Sequence, residues 1–146
     1  MKIRFIFLGK KKSSVITQLV EQYNKRINFF VKSEIIYFYE KNNNKLESKL
    51  ENLFIKKNFI ICLDESGKEI NSKSFSEFLE FNINCFDTIC FLVGDSNGFN
   101  NTILDKSNYV MSLSKMTLTH LFARLLIVEQ VYRSLTITNN HPYHNE

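Results

Sequence analysis

The sequence predicts an α/β fold, a mainly parallel sheet with helices on both faces. Three observations carry it. Several apolar runs have the length of strands and scarcely alternate, as strands buried on both faces do. The segments between them repeat their apolar residues at helical spacing. The two kinds follow one another along the chain, an order that builds right-handed βαβ units.

The first run, "IRFIFLG" (3–9), is a buried strand. Ser13 or Ser14 then offers an N-cap, and Val15, Ile16, Leu19, Val20, Tyr23 and Ile27 fall on one helix face. "SEIIYFYE" (33–40) is the second strand; past the polar "KNNN", Leu46, Leu50, Leu53 and Phe54 mark a second helix. "NFIICLDESGK" (58–68) is the third strand and ends in a glycine turn. "SKSFSEFLEFNI" (72–83) gives the third helix, "DTICFLVGDSNG" (87–98) a fourth strand running into a glycine-containing loop, and "NYVMSLS" (108–114) a short fifth strand. The last element is a helix over residues 119–136, with Leu121, Phe122, Leu125, Leu126, Val128 and Tyr132 on one broad face. That breadth exceeds what packing on one side of a sheet needs, so this helix is expected to contribute to a homodimer interface.

A chain of 146 residues, 44% hydrophobic and 14% aromatic, has the size of one domain with a packed core. No apolar run approaches the roughly 18 residues of a membrane span, and the apolar stretch in "MKIRFIFLGKKKSS" is too short for a secretory signal. The expected location is the cytoplasm. Cys62, Cys85 and Cys90 are odd in number and form no CxxC pair, which indicates neither a disulfide framework nor a metal site. Cys62 and Cys90 lie in apolar runs, as buried, inert thiols do. Charge is uneven: residues 1–57 hold 13 basic and 5 acidic side chains, a balance of +8, and residues 58–146 hold 6 and 10, a balance of −4. Charge alone leaves two readings open, an anionic partner such as nucleic acid, or a lysine-rich solvated surface of the kind AT-rich coding produces.

In parallel sheets ligands gather beyond the carboxyl ends of the strands. That rim carries "CLDESGK", "LVGDSNG" and "SLSKMTLTH". "VGDSNG" matches neither the dinucleotide GxGxxG nor the P-loop, so a nucleotide-phosphate site is not indicated; alone, it reads as a strand-to-helix turn. "LSKMTLTH" reads alone as an N-cap region, with Thr117 or Thr119 capping the long helix and His120 partly buried. Glu129 and Arg133 are spaced for a surface ion pair. The tail "ITNNHPYHNE" stands out, because His141, Pro142, Tyr143 and His144 cluster at a terminus where chains ordinarily fray.

Taken in order, "LDESGK", the stretch from "LVGDSNG" through "SLSKMTLTHLFARLLIVEQVYRSLTI", and the "HPYH" tail closely resemble the ribosomal RNA large subunit methyltransferase H family, a branch of the SPOUT methyltransferases. The likeness covers essentially the whole chain, weakly in "MKIRFIFLGK" and "EQYNKRI" and strongly over 60–68 and 92–144. It implies transfer of a methyl group from S-adenosylmethionine to N3 of a pseudouridine in 23S rRNA, the large-subunit RNA of the assembled ribosome. It also implies a homodimer, with a trefoil knot over roughly 90–138 and a functional tail at 139–146. By resemblance the cofactor is held by Leu63, Gly94 and the run Leu113, Ser114, Lys115, Met116, Thr117 and Leu118. No metal and no membrane are implied.

The catalytic expectation falls on His144, Tyr143 and Arg124. The acceptor nitrogen starts protonated, and each pKa unit above ambient pH costs about 1.4 kcal/mol, so a base or an anion-favouring environment helps. A histidine near neutrality on a segment stiffened by Pro142 suits proton removal or orientation of the base, with Tyr143 stacked on it and Arg124 holding the developing anion. The tail is expected to close over the cofactor pocket of a partner subunit, or else to contact RNA without touching the chemistry. Two departures from the family pattern stand out: Asp95 follows Gly94 where the family usually has a second glycine, and Asn145 follows His144 where relatives place a basic residue. The alternative from another class is a catalytically inactive, knotted dimeric RNA- or ribosome-binding protein.

Overall fold

The computed structural model describes residues 1–145, which form five strands and five helices: β1 (Lys2–Leu8), α1 (Val15–Ile27), β2 (Lys32–Phe38), α2 (Asn43–Glu51), β3 (Asn58–Glu69), α3 (Ser72–Cys85), β4 (Thr88–Val93), α4 (Asn101–Lys106), β5 (Tyr109–Ser112) and α5 (His120–Thr138). The strands make one sheet in the order β2-β1-β4-β3-β5, and every pairing is parallel. The predicted class is therefore the observed one. No helix among the described residues is long and apolar enough to cross a membrane.

The direction of each crossover decides which face its helix covers. Moves from β1 to β2 and from β3 to β4 run one way along the sheet, and moves from β2 to β3 and from β4 to β5 run the other. With right-handed crossovers, α1 and α3 share one face while α2 and α4 share its opposite. The core divides accordingly. Ile3, Phe5, Phe7, Ile61, Phe91 and Met111 pack with α1, α3 and α5 on one side. Ile6, Leu8, Ile60, Cys62, Cys90 and Leu92 meet Leu50, Leu53 and Ile103 on the other. Neighbouring strand residues point to opposite faces, and both faces are covered, which is why the runs read as continuous apolar stretches. Phe5 stacks on Phe91 with centroids 5.5 Å apart, and such fully buried side chains each contribute on the order of 1.5–3 kcal/mol.

Two sequence expectations change. A short helix, α4, fills residues that carried no assignment; its six residues are too few to show a 3.6 period, and Asn100, whose side chain accepts from the Ile103 amide, is its only clear signal. The breadth of α5 also has a second cause. This helix lies between α1 and α3 as well as against the sheet, so it is covered on three sides and buries Arg124, Ile127, Val128, Val131, Tyr132 and Leu135. Its remaining outer stripe is Phe122, Leu126, Glu129 and Arg133, of which Phe122 is 52% exposed.

At the β3–β5 border, Met111 lies opposite both Leu63 and Lys68, so residues 64–67 leave the ladder and rise above the rim. Gly67 is where the chain returns. A Cβ there would stand 2.7 Å from backbone atoms of Val110 and Met111, which cannot swing aside. Gly67→Ala is expected to destabilise the fold by about 1–3 kcal/mol, seen as a lower urea midpoint at unchanged slope. An unchanged midpoint would show that the β3–β5 border yields.

Candidate functional site

Three segments meet beyond the carboxyl ends of β3, β4 and β5 and enclose an open cleft of about 660 Å³. The first is the excursion after β3, where Asp64 accepts from the Ser66 amide (3.0 Å) and hydroxyl (2.6 Å) through one oxygen. The second is the turn after β4, where Asp95 accepts from the Asn97 amide at 2.9 Å and its carbonyl from the Gly98 amide at 3.0 Å. The third is the link from β5 to α5: the Ser112 hydroxyl donates to the Ser114 carbonyl, the Ser114 hydroxyl accepts from the Met116 amide, and Thr119 caps α5 by accepting from the Phe122 amide. Thr117 reaches across to Glu65 at 3.5 Å. Side-chain-to-backbone bonds of this kind fix loops that have no ladder of their own.

The lining is part apolar and part acidic. Leu63, Val93, Leu113, Met116 and Leu118 supply hydrophobic wall, while Asp64, Glu65 and Asp95 supply carboxylates, and no lysine or arginine is among the lining residues. Gly94 leaves room that any side chain would fill, since a Cβ there would lie 3.2 Å from the Gly98 Cα and 3.3 Å from the Phe99 ring. His120 and Ala123, from the start of α5, complete the lining. Burial lowers the His120 pKa from its ordinary value, and the cations of Arg124 and Lys12 lower it further against the opposing pull of Asp95. The imidazole is therefore neutral at pH 7.

Of the residues expected to hold a cofactor, Leu63, Gly94, Leu113, Ser114, Met116, Thr117 and Leu118 line this cleft, and Lys115 does not; it is exposed. Arg124 is not a lining residue either. Only 3% exposed, it turns back under the β1–α1 loop, donating to the Leu8 carbonyl at 3.0 Å and the Lys10 carbonyl at 3.3 Å, with the Phe7 and Tyr37 rings 5.2 and 5.5 Å from its guanidinium carbon. Tyr143 and His144 dock elsewhere, on α1 and the outer stripe of α5. The Tyr143 hydroxyl donates to Glu129 at 3.0 Å and lies 3.1 Å from the Tyr23 hydroxyl, and His144 Nδ1 lies 2.9 Å from Arg133 Nη1. His141 meets the Phe30 ring edge-on. Glu129 and Arg133 follow Ala123 by six and ten residues, about 9 and 15 Å along the helix. No described residue of the tail lines its own chain's cleft.

Sequence reading missed Asp64, Glu65 and Phe99 as lining residues. An acidic pair directly after a buried strand, on the rim where parallel sheets bind ligands, was the available signal. Cys62 and Cys90 are buried as expected, and burial pushes both thiols up to about 11, which keeps them protonated and unreactive.

The family model described as "Predicted SPOUT methyltransferase" matches residues 1–144. Proteins named ribosomal RNA large subunit methyltransferase H are similar to this chain nearly end to end. That of Ureaplasma urealyticum is 37% identical, with 99% of each chain covered, and that of Clostridium botulinum 35%, with the same coverage. The one from Caldicellulosiruptor bescii is 36% identical over 97% of this chain and 99% of its own. The chain belongs to the ribosomal RNA large subunit methyltransferase H family. Solved structures agree at the level of fold. A probable methylase family protein from Haemophilus influenzae superposes with TM-score 0.56 at 12% identity, covering 99% of this chain and 70% of its own. A SpoU methyltransferase from Streptomyces viridochromogenes, in complex with AdoMet, gives 0.50 at 11%, covering 89% and 56%.

A methyltransferase of this SPOUT family takes its methyl group from S-adenosylmethionine, and the cleft fits that molecule on three counts. Its volume suits a ligand of that size, its apolar wall suits an adenine, and its carboxylates suit a sulfonium while no basic side chain asks for a phosphate. Each carboxylate near the cation is worth about 1 kcal/mol at 4 Å in water and more where solvent is thinned. The neutral His120 adds no competing charge. Cofactor affinity of this methyltransferase is expected to weaken as pH falls from about 7 to 5, through the lowered His120 pKa, because a protonated imidazole repels the sulfonium. Calorimetric titrations across that range should show the loss, and His120→Gln should flatten it. An equally steep loss in the variant would rule out His120 as its cause.

Proposed function

We propose that this chain methylates N3 of a pseudouridine in 23S rRNA on the assembled ribosome, in the cytoplasm. Family membership supplies the reaction class, and the observation that carries the rest is an acidic cleft, lined by no lysine or arginine, on the same edge of the sheet as a lysine rim. Lys10, Lys11 and Lys12 follow β1 on the same edge of the sheet as the cleft, and all three are exposed. A polyanion held there sits next to the donor site without competing for it.

When bound, S-adenosylmethionine supplies an electrophilic methyl group on a sulfonium. The chain's own part is to hold and orient. Leu63, Leu113, Met116 and Leu118 make an apolar slot, Gly94 admits close backbone approach, and Asp64, Glu65 and Asp95 favour the cationic end. Displacement in line demands positioning above all. Asp95 lends no support to an inactive relative, because one oxygen of its carboxylate accepts from the Asn97 amide and the side chain is exposed.

A homodimer completes this reading. The exposed Phe122 and Leu126 belong to the same α5 stripe as Glu129 and Arg133, which hold the tail, so a second copy packed on that stripe would bring one chain's Tyr143 and His144 toward the other's cleft. The trefoil knot over roughly 90–138 belongs to the same proposal. Its support is the course of residues 113–119, which leave the edge strand β5, line the cleft beside the ends of β3 and β4, and lead into α5 between α1 and α3.

The test is mass mapping of large-subunit rRNA after incubating the protein with ribosomes and S-adenosylmethionine. One added methyl on one pseudouridine is expected; none, with cofactor binding intact, would leave the inactive binding module as the reading. Replacing Lys10, Lys11 and Lys12 with Gln should weaken ribosome binding and shallow its salt dependence by up to about 0.9 per contact, at unchanged cofactor affinity. An unaltered salt slope would place the RNA on another face.

A further inference from the structure

We propose that Glu129 is a positioning residue which, acting through Arg133, fixes His144 as its Nε2–H tautomer. The inference deepens the reading above and rests on the tail taking part in the reaction. Its own basis is the direction in which each hydrogen bond must run.

Arginine has donors only, so the 2.9 Å contact between Arg133 Nη1 and His144 Nδ1 requires a lone pair on Nδ1. In a neutral imidazole the proton then resides on Nε2. The orientation of Arg133 comes from Glu129, one helical turn earlier: Oε1 accepts from Nε at 3.1 Å and from Nη2 at 2.7 Å, which turns Nη1 outward to the tail. The pair is largely shielded, with side chains 15% and 25% exposed, so it is held more firmly than a solvated surface pair.

The same oxygen fixes Tyr143. Carboxylates accept only, so the Tyr143 hydroxyl spends its single proton on Glu129, and the Tyr23 hydroxyl must be the donor to Tyr143. The Tyr143 ring lies 4.9 Å from the Arg133 guanidinium carbon and meets Tyr132 edge-on. Behind Glu129, its second oxygen accepts from Gln130, whose own oxygen accepts from Ser72 at the start of α3. The carboxylate is thus held within α5, with α1 linked to it through Tyr143 and α3 through Gln130, and the tail takes its orientation from it.

The chemical consequence concerns what His144 can do. With Nδ1 engaged by a cation and the proton on Nε2, the ring is a hydrogen-bond donor. It suits a carbonyl oxygen flanking an imide nitrogen, where negative charge gathers once that nitrogen has lost its proton to water. It does not suit removal of the proton.

Nitrogen NMR on the full-length protein with isotope-labelled histidine tests this directly. The wild type is expected to show His144 with a bare Nδ1 and a protonated Nε2; Glu129→Gln, which weakens the hold on Arg133, and, separately, Arg133→Met, which removes the donor to Nδ1, should shift the ring toward the other tautomer. Tyr23→Phe, which removes only the donor to Tyr143, should leave the tautomer in place. In single-turnover assays on ribosomes, Glu129→Gln should lower the methylation rate tenfold or more while cofactor affinity stays within about twofold, and Glu129→Asp should recover part of the rate. A protonated Nδ1 in the wild type, or a tautomer unmoved by both substitutions, would overturn the proposal. Deleting residues 141–146 tests the underlying reading separately, since full activity of that truncation would remove the tail from the reaction whatever the tautomer.

Discussion

A buried guanidinium without a carboxylate partner is the contact on which the rest of this molecule depends. Arg124 has its Nη atoms on the Leu8 and Lys10 carbonyls and the rings of Phe7 and Tyr37 around it, and its Nε is unpaired. Burying a charge in this way is costly, and breaking such an arrangement costs more than it contributes. Its effect is geometric. By joining α5 to the end of β1, it sets the depth at which His120 and Ala123 meet the cleft and the exit direction of the three lysines that follow Gly9. One side chain thereby couples the cleft to the lysine rim, although it lines neither.

The electrostatics of the two neighbouring regions then separate cleanly. The cleft carries three carboxylates and draws a cation; the rim carries three lysines and draws a polyanion. Lys11 is paired with Glu21 and Lys10 lies over the Tyr39 ring at 4.6 Å, so contacts within the chain already order part of the rim. Opposite fields on one edge of the sheet favour a cation in the cleft and a polyanion on the rim without a steric barrier between them.

How much of this was legible in the sequence depends on how local each cause is. The strands were legible because burial on both faces leaves unbroken apolar runs, and α1, α3 and α5 because their periodicity spans three turns or more. Helix α4 was not, since a single capped turn and a half has no period to detect. Most of the cleft's lining within residues 113–118 could be placed through the family's motif, yet Lys115 is exposed and does not line the cleft, because neighbours along an extended loop face different sides. Asp64 and Glu65 were passed over because only the register slip at Met111 lifts them above the rim. The direction of Arg124 was beyond any sequence argument: it depends on carbonyls 114 and 116 residues away. The pair Glu129–Arg133 was legible as an ion pair, but its role as the anchor of Tyr143 and His144 needs the tail folded back on it.

The seat of α5 has a consequence in time as well as in space. A helix that is apolar on nearly every side and fits between two others has no stable place until both of those, and the sheet beneath them, have formed. Contacts between residues more than a hundred positions apart are slow to assemble, and an all-parallel sheet offers few short-range contacts to begin from. The element that closes the cleft should therefore be among the last to settle during synthesis. A chain released early exposes the apolar residues of α5 and leaves the cleft without the wall that His120 and Ala123 supply, so an intact cleft is a mark of completed folding.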